Sequence, residues 1–187
     1  MNGDWLSDDR SDAAVERILD AAGRMFVERG VSSTGMAVVA REAGCSRATI
    51  YRYFDGRRSL HLAYVNREAR RIGLRVLAET ASIEDPRERV VEALMMSLLS
   101  VRSDPTVAAW IQLPEVGIAA EMAHASEVVN ALGSALLDGV GGDTTRRVRW
   151  LVRVLVSFLT VPGVDADDER AMLQEFVVPV LQGADAR

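Results

Sequence analysis

The feature that most restricts how this chain can fold is the segment from Val39 to Phe54, VAREAGCSRATIYRYF. Two short helices that cross closely need a small residue at the crossing, a glycine in the turn and a branched apolar residue on the inner face of the second helix. Ala40, Gly44 and Ile50 supply these three in order, and Phe54 follows Ile50 by one turn. The spacing therefore predicts a helix-turn-helix.

The second helix of this pair combines a capping residue with an outward face that suits DNA. Ser46 can cap its first turn, and with Ile50 and Phe54 facing inward the remaining positions face outward. Arginine can pair with guanine, small methyl groups can touch thymine, and tyrosine hydroxyls can bind phosphates. An ordinary helical hairpin with a polar face is the alternative, but spacing, cap and outward chemistry together favour DNA binding. The outward residues are Arg47, Ala48, Thr49, Tyr51, Arg52 and Tyr53.

The rest of the chain predicts an all-α fold of about nine helices, because no segment shows the alternation of a strand. Repeated N-cap signals mark helix starts, such as Asp85-Pro86, Asp104-Pro105, Asp143 and Asp165. One long helix is expected from Arg57 to Glu79 and another over residues 114–138. The predicted organisation is a mobile N-terminal arm over residues 1–10, a three-helix DNA-binding domain over 11–56, and a helical ligand-binding and dimerisation domain over 57–187.

Composition excludes several classes of protein and leaves a charge asymmetry to explain. The net charge is −5, yet residues 10–75 carry thirteen arginines and seven acidic residues, a balance of +6 that could mark a polyanion site or simply a solvated surface. No apolar run reaches the roughly 20 residues of a membrane span, and the acidic N-terminus does not resemble a signal peptide, so we expect a cytoplasmic protein with no membrane partner. We predict no metal site, no cofactor and no catalytic constellation, since Cys45 is the only cysteine and His61 and His124 are far apart. Cys45 itself fits a small apolar residue in the turn better than a redox switch.

Residues from about 12 to 75 resemble the N-terminal domain of the tetracycline-repressor-type (TetR) regulators. The resemblance rests on Phe26–Gly30, on Val39–Gly44 and on Ser46–Phe54. It implies that residues 47–53 read an operator, that Thr34 and Tyr53 hold phosphates, and that Arg57 adds a further contact. The sequence departs from the family pattern at Gly35, Val38, Cys45 and Asp55. The departures at Gly35 and Asp55 affect individual phosphate contacts and leave the motif intact.

The C-terminal part offers candidate residues for a ligand cavity and for a subunit interface. The resemblance implies a pocket for a small apolar molecule, although core packing explains the same residues equally well; the candidates are Met95, Met96, Leu99, Trp110, Leu113 and Met122. The last two long helices are apolar on more than one side, which in a chain this small predicts burial against a second copy. The expected interface residues are Leu151, Leu155, Phe158, Leu173, Phe176 and Val177. Pro179 lacks an N–H donor, so the last helix is expected to bend or weaken there.

These features predict a repressor that binds a palindromic operator as a homodimer and is released by a small apolar effector. A regulator without ligand control, or an activator, is the alternative within the same class. An all-α enzyme or small-molecule-binding protein with a structural N-terminal hairpin is the alternative from another class. DNA retention and its dependence on salt would separate these classes.

Overall fold

The protein is all-helical in the computed structural model, which describes residues 5–140 and 143–182 and contains no strand within these ranges. None of the described helices is both long enough and apolar enough to cross a bilayer. The helices in chain order are α1 (Trp5–Arg29), α2 (Met36–Glu42), α3 (Arg47–Tyr53), α4 (Arg57–Thr80), α5 (Pro86–Ser103), α6 (Pro105–Ala108), α7 (Val116–Ala125), α8 (Glu127–Leu136), α9 (Thr144–Thr160), α10 (Ala166–Met172) and, after a π-helical turn (Leu173–Val177), α11 (Val178–Gln182).

Two expectations about helix boundaries are wrong. Helix α1 begins at Trp5 and not after residue 10, while residues 1–4, the start of the predicted arm, lie outside the described part of the chain. The segment from Trp5 to Arg10 contains no glycine or proline, and nothing in it prevents the helix from starting early. The single helix expected over residues 114–138 is divided into α7 and α8 at Ser126, whose backbone is extended.

The predicted N-caps, by contrast, are confirmed. The carboxylate of Asp85 accepts a hydrogen bond from the backbone N–H of Arg87, and that of Asp104 accepts from Thr106. The carboxylates of Asp143 and Asp165 cap α9 and α10 in the same way. Each cap satisfies one of the N–H groups that a helix leaves unpaired at its start.

The chain divides into two compact units, Met1–Tyr64 and Val65–Arg187. The division falls inside α4, whereas the sequence suggested a boundary before its first residue. In the first unit, Tyr64 and Phe26 pack edge to face with ring centroids 5.1 Å apart, and Leu60 is fully buried. The first two turns of α4 therefore complete the core of the first unit.

The second unit is built around α5, whose buried face contains Val90, Val91, Leu94 and Leu98. We call α10, the π-helical turn and α11 together the last helical segment (residues 166–182). The main hydrophobic cluster of the unit combines the buried face of α5 with residues of α9 and of the last helical segment, among them Leu151 and Leu173. The last segment departs from α geometry over Leu173–Val177, in the turn before Pro179. A proline clashes with the carbonyl four residues before it, and a widened turn is one way to accommodate that clash.

Arg102 and Glu169 form a bidentate ion pair that ties α5 to α10. The two N···O distances are 2.8 and 2.7 Å, and the Glu169 residue is only 2% exposed. Arg102 also donates to the carbonyl of Phe158, and the N–H of Gly163 donates to Glu169. The hydrogen bonds from Arg102 hold the pKa of Glu169 below its ordinary value, against the effect of burial and with further help from Gly163.

Glu169→Gln is expected to lower the free energy of unfolding at neutral pH by about 1–3 kcal/mol, because it removes the charge that pairs with Arg102. A carboxylate with a lowered folded-state pKa stabilises the protein above its ordinary pKa, and that contribution is lost as the pH falls through the lowered value. Urea unfolding of the variant should therefore be less sensitive to acid than that of the unsubstituted protein. Glu175→Gln, on the exposed surface of the same segment, is the control. Equal losses in both variants would contradict the assignment.

Candidate nucleic-acid interface

Helices α2 and α3 meet at a turn with the geometry that the sequence predicts. Gly44 has φ +67°, a left-handed conformation that favours glycine, and the N–H of Cys45 donates to the carbonyl of Ala40 over 2.9 Å. Ala40 is 2% exposed at the crossing, and Ile50 and Phe54 are 0% and 4% exposed. The small core of the helix pair is therefore closed by the expected residues.

The first turn of α3 is capped by Ser46. Its Oγ accepts a hydrogen bond from the backbone N–H of Thr49 at 3.0 Å and lies 2.8 Å from the Thr49 hydroxyl. The two hydroxyls form an exposed polar pair at the positive end of the helix. Groups at this position can donate to a phosphate or to a base edge.

The face of α3 opposite Ile50 is accessible to a partner. Arg47, Ala48, Tyr51 and Arg52 are exposed, and Thr49 and Tyr53 are half-buried. This face therefore presents two guanidinium groups, two phenol groups and the methyl groups of Ala48 and Thr49, a mixture that can contact both bases and phosphates.

Arg52 and Tyr53 interact with each other on this face. One guanidinium N–H of Arg52 donates to the Tyr53 hydroxyl over 3.2 Å, and the guanidinium carbon lies 5.0 Å from the ring centroid. Because the phenol oxygen accepts this bond, its own proton remains available for donation. The Tyr53 hydroxyl can therefore still donate a hydrogen bond to an anion.

Arg57 lies at the exposed start of α4 and anchors it within the first unit. Its Nη1 donates to the carbonyl of Ser32 over 2.7 Å. A guanidinium has five N–H donors, so this bond leaves donors that can reach a phosphate. Arg57 therefore fits a combined role in positioning and contact.

Thr34 does not occupy the position that the family resemblance implied. It is 1% exposed, and its hydroxyl lies within hydrogen-bonding distance of the carbonyls of Met25 and Gly30. A side chain buried in this way closes the C-terminal end of α1 instead of reaching a phosphate. In this structure the Thr34 side chain is therefore not placed to contact a phosphate.

The six candidate ligand residues differ in how deeply they are buried. Trp110 and Met122 are buried, while Met95 and Met96 are half-buried against two different hydrophobic clusters. Leu99 and Leu113 are 69% and 85% exposed, so they cannot line an enclosed cavity in this conformation. Helical spacing identified apolar positions but could not tell an interior position from an exposed one.

The six candidate interface residues also divide into two groups. Leu151, Leu173 and Val177 are buried in the core of the subunit itself, which corrects the expectation that they face a partner. Leu155 and Phe158 are half-buried, and Phe176 is 60% exposed. Only the second group offers surface to another molecule.

A group of polar residues in the second unit is not predicted by the sequence patterns. Glu68 is 7% exposed and pairs with Arg67 and Arg71, and Arg71 also bonds Asp104, the cap of α6, over 2.6 Å. The spacing of Glu68 and Arg71 by three residues is the local signal that could have indicated the first pair. Nothing local indicates the contact with Asp104.

Comparison with known proteins gives consistent matches. Residues 18–64 match the family model for bacterial regulatory proteins of the tetR family. The chain is 49% identical over 187 residues to an uncharacterized HTH-type transcriptional regulator of Mycobacterium tuberculosis, covering 98% of this chain and 93% of that protein.

Solved structures share the fold at low sequence identity. The TetR-family repressor AlkX from Dietzia sp., implicated in biodegradation of n-alkanes, has a TM-score of 0.62 at 19% identity, covering 91% of this chain and 97% of that one. The regulator FadR from Bacillus subtilis, crystallised with stearoyl-CoA, has a TM-score of 0.57 at 15% identity, covering 89% and 96%.

Proposed function

Because the chain belongs to the tetR family of bacterial transcriptional regulators, we propose that it is a repressor that binds a palindromic operator as a homodimer and is released by a small apolar molecule. The observation that carries the proposal is the exposed face of α3, with Arg47, Tyr51 and Arg52 beside the capped start of the helix. Its function is regulatory and not catalytic. An activator, or a regulator without an effector, would use the same face.

In the proposed complex α3 enters the major groove. Arg47 and Arg52 are assigned to base edges, and Tyr53, Arg57 and the Ser46 end of α3 to phosphates. The support for this division is the exposure of the two arginines and the hydrogen bond from Arg52 to the Tyr53 hydroxyl, which leaves the phenol proton free to donate.

Arg47→Ala and Arg52→Ala are expected to reduce discrimination between a selected duplex and a scrambled one by about 1–3 kcal/mol per lost base contact. Tyr53→Phe should weaken binding to both duplexes by similar factors, because a phosphate contact carries no sequence information. Fluorescence anisotropy at one fixed salt concentration measures both effects.

Thr34→Val is the matched control for these variants. Its hydroxyl is buried, so the substitution should lower the free energy of unfolding by about 1 kcal/mol and leave the affinity of the folded protein for the duplex unchanged. Unchanged discrimination in both arginine variants would refute the assignment of α3.

The proposed dimer uses the apolar surface of α9 and of the last helical segment, with two helices from each subunit. Phe176 and Val180 are 60% and 51% exposed, and Leu155 and Phe158 are half-buried beside the main cluster. Large apolar side chains exposed together favour an interface. A two-fold axis would place two copies of α3 about 34–36 Å apart, matching successive turns of the major groove.

Phe176→Glu is expected to convert the dimer into monomers, because it places a charge in the apolar contact. Multi-angle light scattering at micromolar concentration measures the change, and DNA affinity should fall with it. Gln174→Glu adds the same charge to an exposed position in the same turn and should leave the dimer intact. A monomeric unsubstituted protein would remove the basis of this proposal.

Release by an effector is proposed to act through α4, which begins at Arg57 and contains the division between the two units. We propose that α4 has two positions, one that allows operator binding and one that does not. An effector that binds the second form more tightly shifts the equilibrium between the two forms, and it can do so only by that difference in affinity. Met95, Met96, Trp110 and Met122 remain the proposed contacts. The relatives that concern n-alkanes and stearoyl-CoA make long-chain acyl compounds and alkanes the first effectors to test.

A compound that lowers operator affinity about 100-fold must bind the protein–DNA complex about 100-fold more weakly than the protein alone, since the coupling is reciprocal. Calorimetric titration of stearoyl-CoA into protein with and without a selected duplex tests this. Equal affinity for both forms, in a compound shown to bind, would contradict release through α4 for that compound.

A further inference from the structure

Helix α8 lies against both α4 and α9, and glycines mark a close approach on each side. A Cβ added to Gly73 of α4 would lie 2.5 Å from Cδ1 of Leu132 in α8. A Cβ added to Gly133 of α8 would lie 2.8 Å from Cγ1 of Val148 in α9. At contacts this short an added methyl group forces its neighbour to shift. The neighbouring residues Leu132 and Gly133 therefore engage two different helices.

Two further contacts fix α8 along α4. Ser126, which caps α8 and is fully buried, donates from its hydroxyl to Oδ1 of Asn66 over 2.6 Å. One helix length further on, Leu136 packs against the cluster that contains Ile72 and Val76 of α4. The contacts of α8 with α4 are thus the Ser126–Asn66 hydrogen bond at its start and the approach of Leu132 to Gly73, and Leu136 near its end packs against a cluster that α4 shares with Ala93 of α5. These contacts fix the position of α8 along α4 at Ser126 and at Leu132.

The contact of Gly133 with α9 can adjust less to an added methyl group than the contact of Gly73 with α8. Val148 is 2% exposed, and a β-branched residue in a helix has one strongly preferred rotamer. Leu132 is half-buried and can change rotamer to accommodate a new methyl group. Because Val148 has little rotamer freedom, a displacement of α8 should displace α9 as well.

We propose that α8 couples α4 to α9, so that a shift of either helix moves the other. Packed helices respond to a local change by sliding as units, because interiors have little free volume. If the proposed function holds, on which this role rests, the coupling links α4, which follows the helix-turn-helix, to α9, which carries part of the proposed dimer surface. The coupled shift of α4 and α9 would then depend both on effector binding and on the arrangement of the two subunits.

The first test measures hydrogen exchange of the full-length protein without DNA. Gly133→Ala adds a methyl group against α9 and should accelerate exchange in α4 over residues 66–76 by about fivefold or more. Gly73→Ala adds a methyl group against α8 and should accelerate exchange at the start of α9. Changes confined to the two helices that touch the added methyl group would overturn the proposal.

Three controls separate coupling from a general loss of stability. Gly117→Ala lies in α7 with no atom within 4 Å of the added Cβ, and it should leave exchange in α4 and α9 unchanged. Val91→Ala removes buried methyl groups from the main cluster without adding one beside α8, and should not reproduce the pattern. Val148→Ala combined with Gly133→Ala removes the clash and should restore slow exchange in α4, whereas a double loss of stability would accelerate it further.

The second test uses a duplex that the unsubstituted protein selects from a random pool. Gly73→Ala and Gly133→Ala should each lower affinity for it about fivefold or more while light scattering still shows the dimer. Unchanged affinity in both variants would overturn the regulatory role. If no duplex is selected while exchange changes propagate across α8, the proposed function fails and the coupling stands. If a duplex is bound while exchange changes do not propagate, the coupling fails and the proposed function stands.

Discussion

Four short helices of this protein, α3, α6, α8 and α10, begin at a residue whose side-chain oxygen caps the first turn. Short helices gain little from propensity, so each start needs a partner for its unpaired N–H groups. Several caps in the described residues also make a contact outside their own helix. Asp104 accepts from the start of α6 and pairs with Arg71, and Ser126 caps α8 and donates to Asn66. A residue that defines where a helix begins thus also defines what that helix packs against.

The sequence predicts structural features that depend on residues close together in the chain, and it does not predict those that depend on distant contacts. Ser46, Gly44 and Ile50 act within a few residues of each other, and spacing alone predicted the turn, the cap and the buried face. The aspartate caps of α5, α9 and α10 were found for the same reason. The break between α7 and α8 was missed because Ser126 is held by a residue sixty positions earlier in the chain.

Periodicity also could not tell which apolar surface faces what. Leu151 and Phe176 are equally apolar and both follow helical spacing, yet the first lies in the core of the subunit and the second on its surface. Thr34 illustrates the same limit for polar residues, since its burial depends on two carbonyls at the end of α1. In the candidate interface, residue types could be assigned to the outward face of α3, but the contact between Arg52 and Tyr53 depends on rotamers that no pattern encodes.

The π-helical turn gives the last helical segment a different phase from that of a regular helix. Glu169, Leu173, Val177 and Leu181 follow one another at intervals of four, and all are at most 3% exposed. Four residues of an α-helix turn through about 400°. In a regular helix each member of this series would therefore lie about 40° further around the axis than the one before it, and the series would not stay on one face. A wider turn over Leu173–Val177 takes up part of that drift. A relative with an uninterrupted α-helix here needs one residue fewer to present the same face, so a single-residue gap in an alignment at this point would record helix geometry and not a change of function.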